Sequence, residues 1–251
     1  MPLQRTDRYN NRSNHFASEK TISCAVIFAY LLLAISASAQ TETALYSFGA
    51  QSGDGAQPSG VILDSQGNLY GTNFEGGANH AGAVFKLTSE GAETVLYAFC
   101  MQTGCKDGSY PHAGVIRDSK GNLYGTTTQG GAYGGGSVFK LTSGGKETVL
   151  YNFCVQTACK DGAEPAASLV MDKEGNLYGT TEFGGTNTCF ATSCGTVFKL
   201  TPAGKETVLY SFGSHPRDGN NPTLDALILD SKGNLYGTTP YGGANASCYY
   251  G

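Results

Sequence analysis

The sequence predicts an all-β fold, a β-propeller assembled from four-stranded antiparallel blades. Three observations lead there. The phrase GNLYGT recurs from Gly67, Gly121, Gly175 and Gly233, so the spacings are 54, 54 and 58 residues in a chain of 251. Three further apolar phrases keep step with it, and periods of this size mark propellers, solenoids or arrays. Each phrase alternates apolar and polar residues with a period of two, and no stretch of the repeat holds a helical apolar period for three turns.

Each phrase reads as one strand. The first is the VILD type at Val61, Val115, Leu169 and Leu227, and the second is GNLYGT itself. The third is VFKLT, near Val84, Val138 and Val197, which sets Phe85 and Leu87 on one side and Val84, Lys86 and Thr88 on the other. The fourth is the ETVLY type at Glu42, Glu93, Glu147 and Glu206. Only Ser65, Gln66 and Gly67 separate the first strand from the second. Asp64 can accept from the turn amides there, and glycine supplies a positive φ. Short turns such as Ser89-Glu90-Gly91-Ala92 join the third strand to the fourth. Four strands in succession make an antiparallel meander whose two faces are both apolar, as stacking between neighbouring blades requires. A parallel β-helix, with its shorter coils, fits this alternation of tight turns and long loops less well. The expected count is 15 strands, beginning with one over residues 42–48, which is fewer than four blades.

Composition agrees. Hydrophobic residues make up 40% and charged residues 14%; there are 36 glycines, 15 tyrosines, 12 phenylalanines and no tryptophan. This mixture suits short strands and tight turns. The formal charge is −4 with no basic stripe, which excludes a nucleic-acid partner or an anionic-membrane patch. Residues 1–39 read as a signal peptide. Arg5, Arg8, Arg12 and Lys20 precede an apolar run over residues 22–35, and Ala37-Ser38-Ala39 forms the cleavage site. That run is short for a membrane span. The expectation is a secreted, extracellular or cell-surface protein exported by the general secretory pathway, with no transmembrane segment after cleavage. Residues 40–251 then form the repeat region, with 12 basic and 18 acidic residues, a net charge of −6.

The unit D-x-x-GNLYGTT…GG…G-x-VFKLT-x-x-G-x-ETVLYSF resembles the tandem repeat of the bacterial exported proteins called choice-of-anchor tandem repeat GloVer-containing proteins. The resemblance runs from about residue 42 to the end. LILDSKGNLYGTT is similar, more loosely, to the NHL-type propeller repeat. The family resemblance implies an exported protein often tethered by a C-terminal anchor, with no established enzymatic role. This sequence reaches Gly251 two strands into its fourth blade, so truncation and an anchor beyond the present C-terminus are expected.

Seven cysteines follow the signal. Six form three pairs of one spacing, Cys100/Cys105, Cys154/Cys159 and Cys189/Cys194. The pairs sit where loops lengthen: Phe48 to Asp54 is six positions, whereas Phe99 to Asp107, with its cysteines, is eight. Export favours oxidation, so three local disulfides are expected. Metal binding is the rival reading, but C-x4-C in separate repeats lacks zinc-ribbon spacing. Cys248 has no assigned partner. Antiparallel order places all six cysteines, the Gly-Gly segments and the Asp-Gly segments on one face, where long variable loops usually carry binding function.

On that face Asp54, Asp107, Asp161 and Asp218, each followed by glycine, read either as acidic ligands for calcium or a sugar, or as turn residues bonding local amides. His80, His112 and His215 fall at three different blade positions, and His112 is the one on the loop face worth testing. No G-x-S-x-G elbow, H-E-x-x-H or phosphate-binding loop occurs. No catalytic residue, metal ligand or cofactor is therefore assigned. Tyr110, Tyr133, Phe183, Phe190 and Tyr241 complete the candidate ligand face, since aromatic faces stack on sugars. The expected function is an exported, non-catalytic binding module for polysaccharide or another cell-surface component. The alternatives are a lyase or glycan-active propeller enzyme and a structural scaffold displaying an anchor domain.

Overall fold

The computed structural model describes residues 42–189, 192–223 and 226–244. The signal peptide, Phe190 and Cys248 lie outside the described residues. The first blade holds β1 (Gly55–Pro58), β2 (Ile62–Leu63), β3 (Leu69–Gly76), β4 (Ala83–Leu87) and β5 (Glu93–Ala98). The second holds β6 (Ile116–Arg117), β7 (Leu123–Thr127), β8 (Ser137–Leu141) and β9 (Glu147–Asn152). The third holds β10 (Val170–Met171), β11 (Leu177–Thr181), an inserted hairpin of β12 (Thr188–Cys189) and β13 (Thr192–Ser193), then β14 (Thr196–Leu200) and β15 (Glu206–Ser211). The fourth repeat supplies β16 (Gly219–Asn220), β17 (Ile228–Leu229), β18 (Leu235–Tyr236) and β19 (Tyr241–Gly242). Every strand pair is antiparallel, and the second and third blades run outward in chain order, β6-β7-β8-β9 and β10-β11-β14-β15. Even the irregularity repeats, as a register shift between Val84 and Phe85, Val138 and Phe139, and Val197 and Phe198. Among the described residues the one helical turn is a 3-10 turn at Thr157–Cys159.

Two expectations change. Residues 42–48 form no strand. A strand exists through its ladder, and the VFKLT-type partner that pairs with the equivalent phrase in later repeats has no counterpart before residue 42. The side chains nonetheless take up the repeat's contacts, with the Phe48 ring 4.7 Å from that of Phe85. Second, the first strand of each blade starts earlier than the VILD phrase. β1 pairs with the far half of β3, Gly55 with Gly76 and Pro58 with Asn73, and β2 pairs with its near half. The Asp-Gly segment is thus the beginning of an interrupted strand, echoed by the bridges Ser109–Gln129 and Ala163–Phe183. This splitting and the inserted hairpin raise the count from fifteen to nineteen short strand segments among the described residues.

Blades stack through their phenylalanines. Phe99 meets Phe139, and Phe153 meets Phe198, each with ring centroids 5.0 Å apart and edge-on. All four rings are fully buried, joined by Val138, Leu141, Leu169 and Leu200. Hydrogen bonds cross the same seams, from the Thr72 hydroxyl to Ala113 O (2.8 Å) and from Thr126 to Ala167 O (3.3 Å).

The constancy of GNLYGT follows from this packing. Asp64 accepts from the amides of Gln66 and Asn68 through Oδ1, and from Asn68 Nδ2 and the Tyr70 hydroxyl through Oδ2. Asp118, Asp172 and Asp230 repeat all four bonds. The second glycine of the phrase lies under a phenylalanine ring: a Cβ at Gly125 would sit 2.6 Å from Phe139 Cζ and 3.3 Å from Val115 Cγ1. The phrase is a hydrogen-bonded turn followed by the one position where the next strand's ring crosses the backbone.

Candidate ligand-binding face

The loops between the fourth strand of one blade and the first of the next are built around the Asp-Gly aspartates. The Tyr97 hydroxyl donates to Asp107 Oδ2 (2.8 Å), which also accepts from Met101 N, while Oδ1 accepts from Gln102 N. Asp161 takes the Tyr151 hydroxyl, Val155 N and Gln156 N in the same way. Asp54 and Asp218 accept from Tyr46 and Tyr210. Asp107 and Asp161 are fully buried. These carboxylates face into the loops they organise, so they form no solvent-facing acidic ring.

Three disulfides, Cys100–Cys105, Cys154–Cys159 and Cys189–Cys194, close the lengthened loops. They also tie the two kinds of loop together. Where the loop is short, the Gly77 amide donates to Asp54 O; where it is lengthened, Gly131 and Gly185 donate instead to Cys105 O and Cys159 O. The Gly-Gly segments, the Asp-Gly segments and the disulfides therefore share one face.

Within that face the repeats carry a frame, D-G-x-X-P, whose fourth position changes. X is Gln57, Tyr110, Glu164 and Asn221, and all four have a positive φ, 55°, 59°, 55° and 50°. A left-handed residue other than glycine costs on the order of 1–3 kcal/mol and persists only where its surroundings dictate it. Here the surroundings are the preceding blade. The left-handed turn sends the amide of Tyr110 to Ala81 O (2.7 Å), that of Glu164 to Gly135 O (2.9 Å) and that of Asn221 to Cys194 O (2.8 Å).

Register sets each X opposite a second changing residue, in the first repeat on β3 and in the others just outside a strand. Gln57 faces Phe74, Tyr110 faces Thr128, Glu164 faces Glu182 and Asn221 faces Pro240. Neighbouring pairs touch at two of the three junctions. The Phe74 ring lies 5.3 Å from Tyr110 and 5.1 Å from the His112 ring, and Asn221 Nδ2 donates to Glu182 O (3.1 Å). Burial, and then the neighbouring charge of Glu164, hold the Glu182 pKa above the ordinary carboxylate value.

The first strands of three blades converge on a cavity of about 440 Å³ whose lining includes Gln57, Pro58, Ser59, Phe74, His112 and Ser168. Ser59 Oγ donates to His112 O (2.7 Å) and Ser168 Oγ to Gly114 O (3.3 Å), closing its walls between blades. Of the residues singled out in the sequence, Tyr110 and His112 come together here around Phe74. Tyr133 stands apart, 58% exposed on the loop after β7. Phe183 is half-buried opposite Ala163, and Tyr241 is exposed opposite Asn220. Sequence reasoning missed Gln57, Phe74, Glu164, Glu182 and Asn221. The available signal was a proline fixed three residues after each Asp-Gly glycine, with a different residue before it each time. Among the described residues no three His, Cys, Asp or Glu side chains stand together as metal ligands, and no helix is long and apolar enough to cross a membrane.

The Gloeobacter/Verrucomicrobia repeat matches residues 31–249. The chain belongs to this repeat family. That is the relationship its repeated unit implied. No curated protein sequence matches it. Solved structures similar to this Gloeobacter/Verrucomicrobia repeat protein include a protein assigned as a gluconolactonase (TM-score 0.44, 16% identity, 74% of this chain and 58% of that one). A luciferin-regenerating enzyme (TM-score 0.41, 14% identity, 78% and 73%) is another, as is the endo-arabinase of Bacteroides thetaiotaomicron (TM-score 0.36, 18% identity, 74% and 63%). The chain thus spans 58% of the length of the gluconolactonase-assigned protein.

Proposed function

We propose that this repeat protein is an exported, non-catalytic binding module that holds polysaccharide or another cell-surface glycan on the face around the cavity. The observation that carries the reading is the left-handed position of the D-G-x-X-P frame. Four blades fix the same strained backbone and set on it an amide, a phenol, a carboxylate and a second amide. A frame kept for packing alone has no need of four different polar side chains at one site. Strain and variation of side chain together fit a recognition surface on a rigid scaffold. Phe74, Tyr110 and His112 add ring surface at the cavity rim, suited to the apolar faces of sugars. Three closed disulfides fit an oxidising, extracellular setting, reached through the signal peptide expected over residues 1–39.

A glycan array probed with the purified protein and with a His112→Ala/Phe74→Ala variant tests this. Retention of at least one glycan class by the parent and its loss in the variant is the expected outcome. An array on which the parent retains nothing contradicts the reading.

A further inference from the structure

Resting on that reading, we infer that the ligand is a linear neutral glycan laid along a band of paired variable side chains, one pair per blade. We infer further that the Glu164–Glu182 pair makes this band reject uronate polymers. The band follows from register. Each pair consists of the X residue and the residue two positions before the next Gly-Gly. Fixed positions bracket the pairs: Asp-Gly three and two residues before X, and proline directly after it. Gly-Thr stands three and two residues before the second member and Gly-Gly two and three after it. Positions between them, such as Glu75, Gln129, Phe183 and Tyr241, also change. Two of the three junctions between pairs are in contact: Phe74 of the first touches Tyr110 of the second, and Asn221 of the fourth reaches back to Glu182 of the third. A surface that advances by one pair per blade matches a ligand that advances by one repeating unit, which is what a linear polymer does.

The chemistry along the band is uneven in a useful way. Its first half offers rings, Phe74, Tyr110 and His112, on which a pyranose can lay its C–H face. Gln57 and Asn221 can each donate to and accept from hydroxyl groups. Glu164 and Glu182 stand opposite one another beside the Ala163–Phe183 bridge, the Glu182 amide donating to Glu164 O at 3.1 Å. Among the described residues neither carboxylate has a lysine or arginine partner. Sugar hydroxyls suit this pair as hydrogen-bond donors. A uronate would bring a third carboxylate to two already crowded together in a half-buried place, where like charges repel more strongly than in open water.

Titration calorimetry at pH 7 tests the inference, with neutral di-, tetra- and hexasaccharides of β-1,4-glucan, β-1,3-glucan, mannan and xylan set against oligogalacturonides of matching length. The parent is expected to bind at least one neutral series more tightly from dimer to tetramer and to leave the galacturonides unbound. The Glu164→Gln/Glu182→Gln variant, checked by its melting curve, is expected to gain galacturonide binding by about tenfold or more. Three results overturn the inference and leave the binding-module reading standing: galacturonides binding the parent as well as neutral chains do, no gain in the variant, or neutral affinity independent of length. A parent that binds no oligosaccharide of either kind overturns the inference, and an array on which it retains nothing overturns the binding-module reading as well.

Discussion

Phe153, one residue beyond β9, packs edge-on against Phe198 of the following blade, with ring centroids 5.0 Å apart and planes at 66°. The contact joins the fourth phrase of one repeat to the third phrase of the next. Phe48–Phe85 and Phe99–Phe139 copy it. Both rings are fully buried, so Phe153→Ala should open a cavity in the seam and cost about 3–5 kcal/mol. Urea denaturation measures this. A loss under about 1 kcal/mol would mean that the blades do not depend on the ring contact.

The ring also explains a glycine. Gly125→Ala would drive a methyl group into Phe139 and Val115, and overpacking of this kind costs about 1–3 kcal/mol. Gly144, in an exposed turn with no atom closer than 3.9 Å to its would-be Cβ, is the control. Gly144→Ala should leave the melting temperature unchanged and Gly125→Ala should lower it. Equal effects would remove the packing explanation for the repeated YGT.

Stability should depend on pH in a way the seams dictate. Burial, and then the negative charge of Asp107, lift the Glu147 carboxyl to about 7; burial and Asp161 lift Glu206 to about 7, the Tyr151 hydroxyl opposing them. Their folded pKa values exceed the ordinary 4.5. Their contribution is therefore complete below about pH 4.5 and is lost as pH rises through about 7. Asp64 has the opposite sign. Chiefly through the Asn68 side chain, its carboxyl is lowered to about 2 from 3.8, so its contribution holds above that ordinary value and is lost as pH falls through about 2. The melting temperature should peak near about pH 4–5 and decline toward about pH 8. Glu147→Gln/Glu206→Gln should flatten the decline. An undiminished decline in that variant would assign it elsewhere.

The disulfides brace loops that already have their own hydrogen bonds. Cys154→Ser/Cys159→Ser removes a five-residue closure, which the chain-entropy relation values at about 2 kcal/mol. Asp161 still holds Val155 N and Gln156 N, so the loss should stop there. Denaturation with and without reductant reads it. A loss well beyond that figure would show that the loop collapses without its bridge.

Much of this was legible in the residues. The four-strand meander, the Asp64-type turn and the shared loop face follow from period-two alternation, turn chemistry and chain order. The beginning of each inner strand did not follow, because Asp-Gly and a nearby proline are loop signals. Only the ladder between β1 and β3 shows that the segment belongs to the sheet. The inward turn of Asp107 depends on a tyrosine ten positions upstream whose alternation reads simply as core. The pairing of Glu164 with Glu182, or Gln57 with Phe74, depends on register, which periodicity leaves open by two residues at a time.

The central claim is that the repeated phrase builds and the changing residues bind. Calorimetry with the best array-identified glycan, run on two variants of matched fold, tests it most directly. Tyr110→Asn puts on the second blade the residue that the fourth blade carries at Asn221, which tolerates the left-handed backbone. Asp118→Ala removes the acceptor for Lys120 N, Asn122 N, Asn122 Nδ2 and the Tyr124 hydroxyl. The account predicts lost affinity with an unchanged melting temperature for Tyr110→Asn, and retained affinity with a lowered melting temperature for Asp118→Ala. The reverse pattern, binding lost at Asp118 and kept at Tyr110, would contradict it.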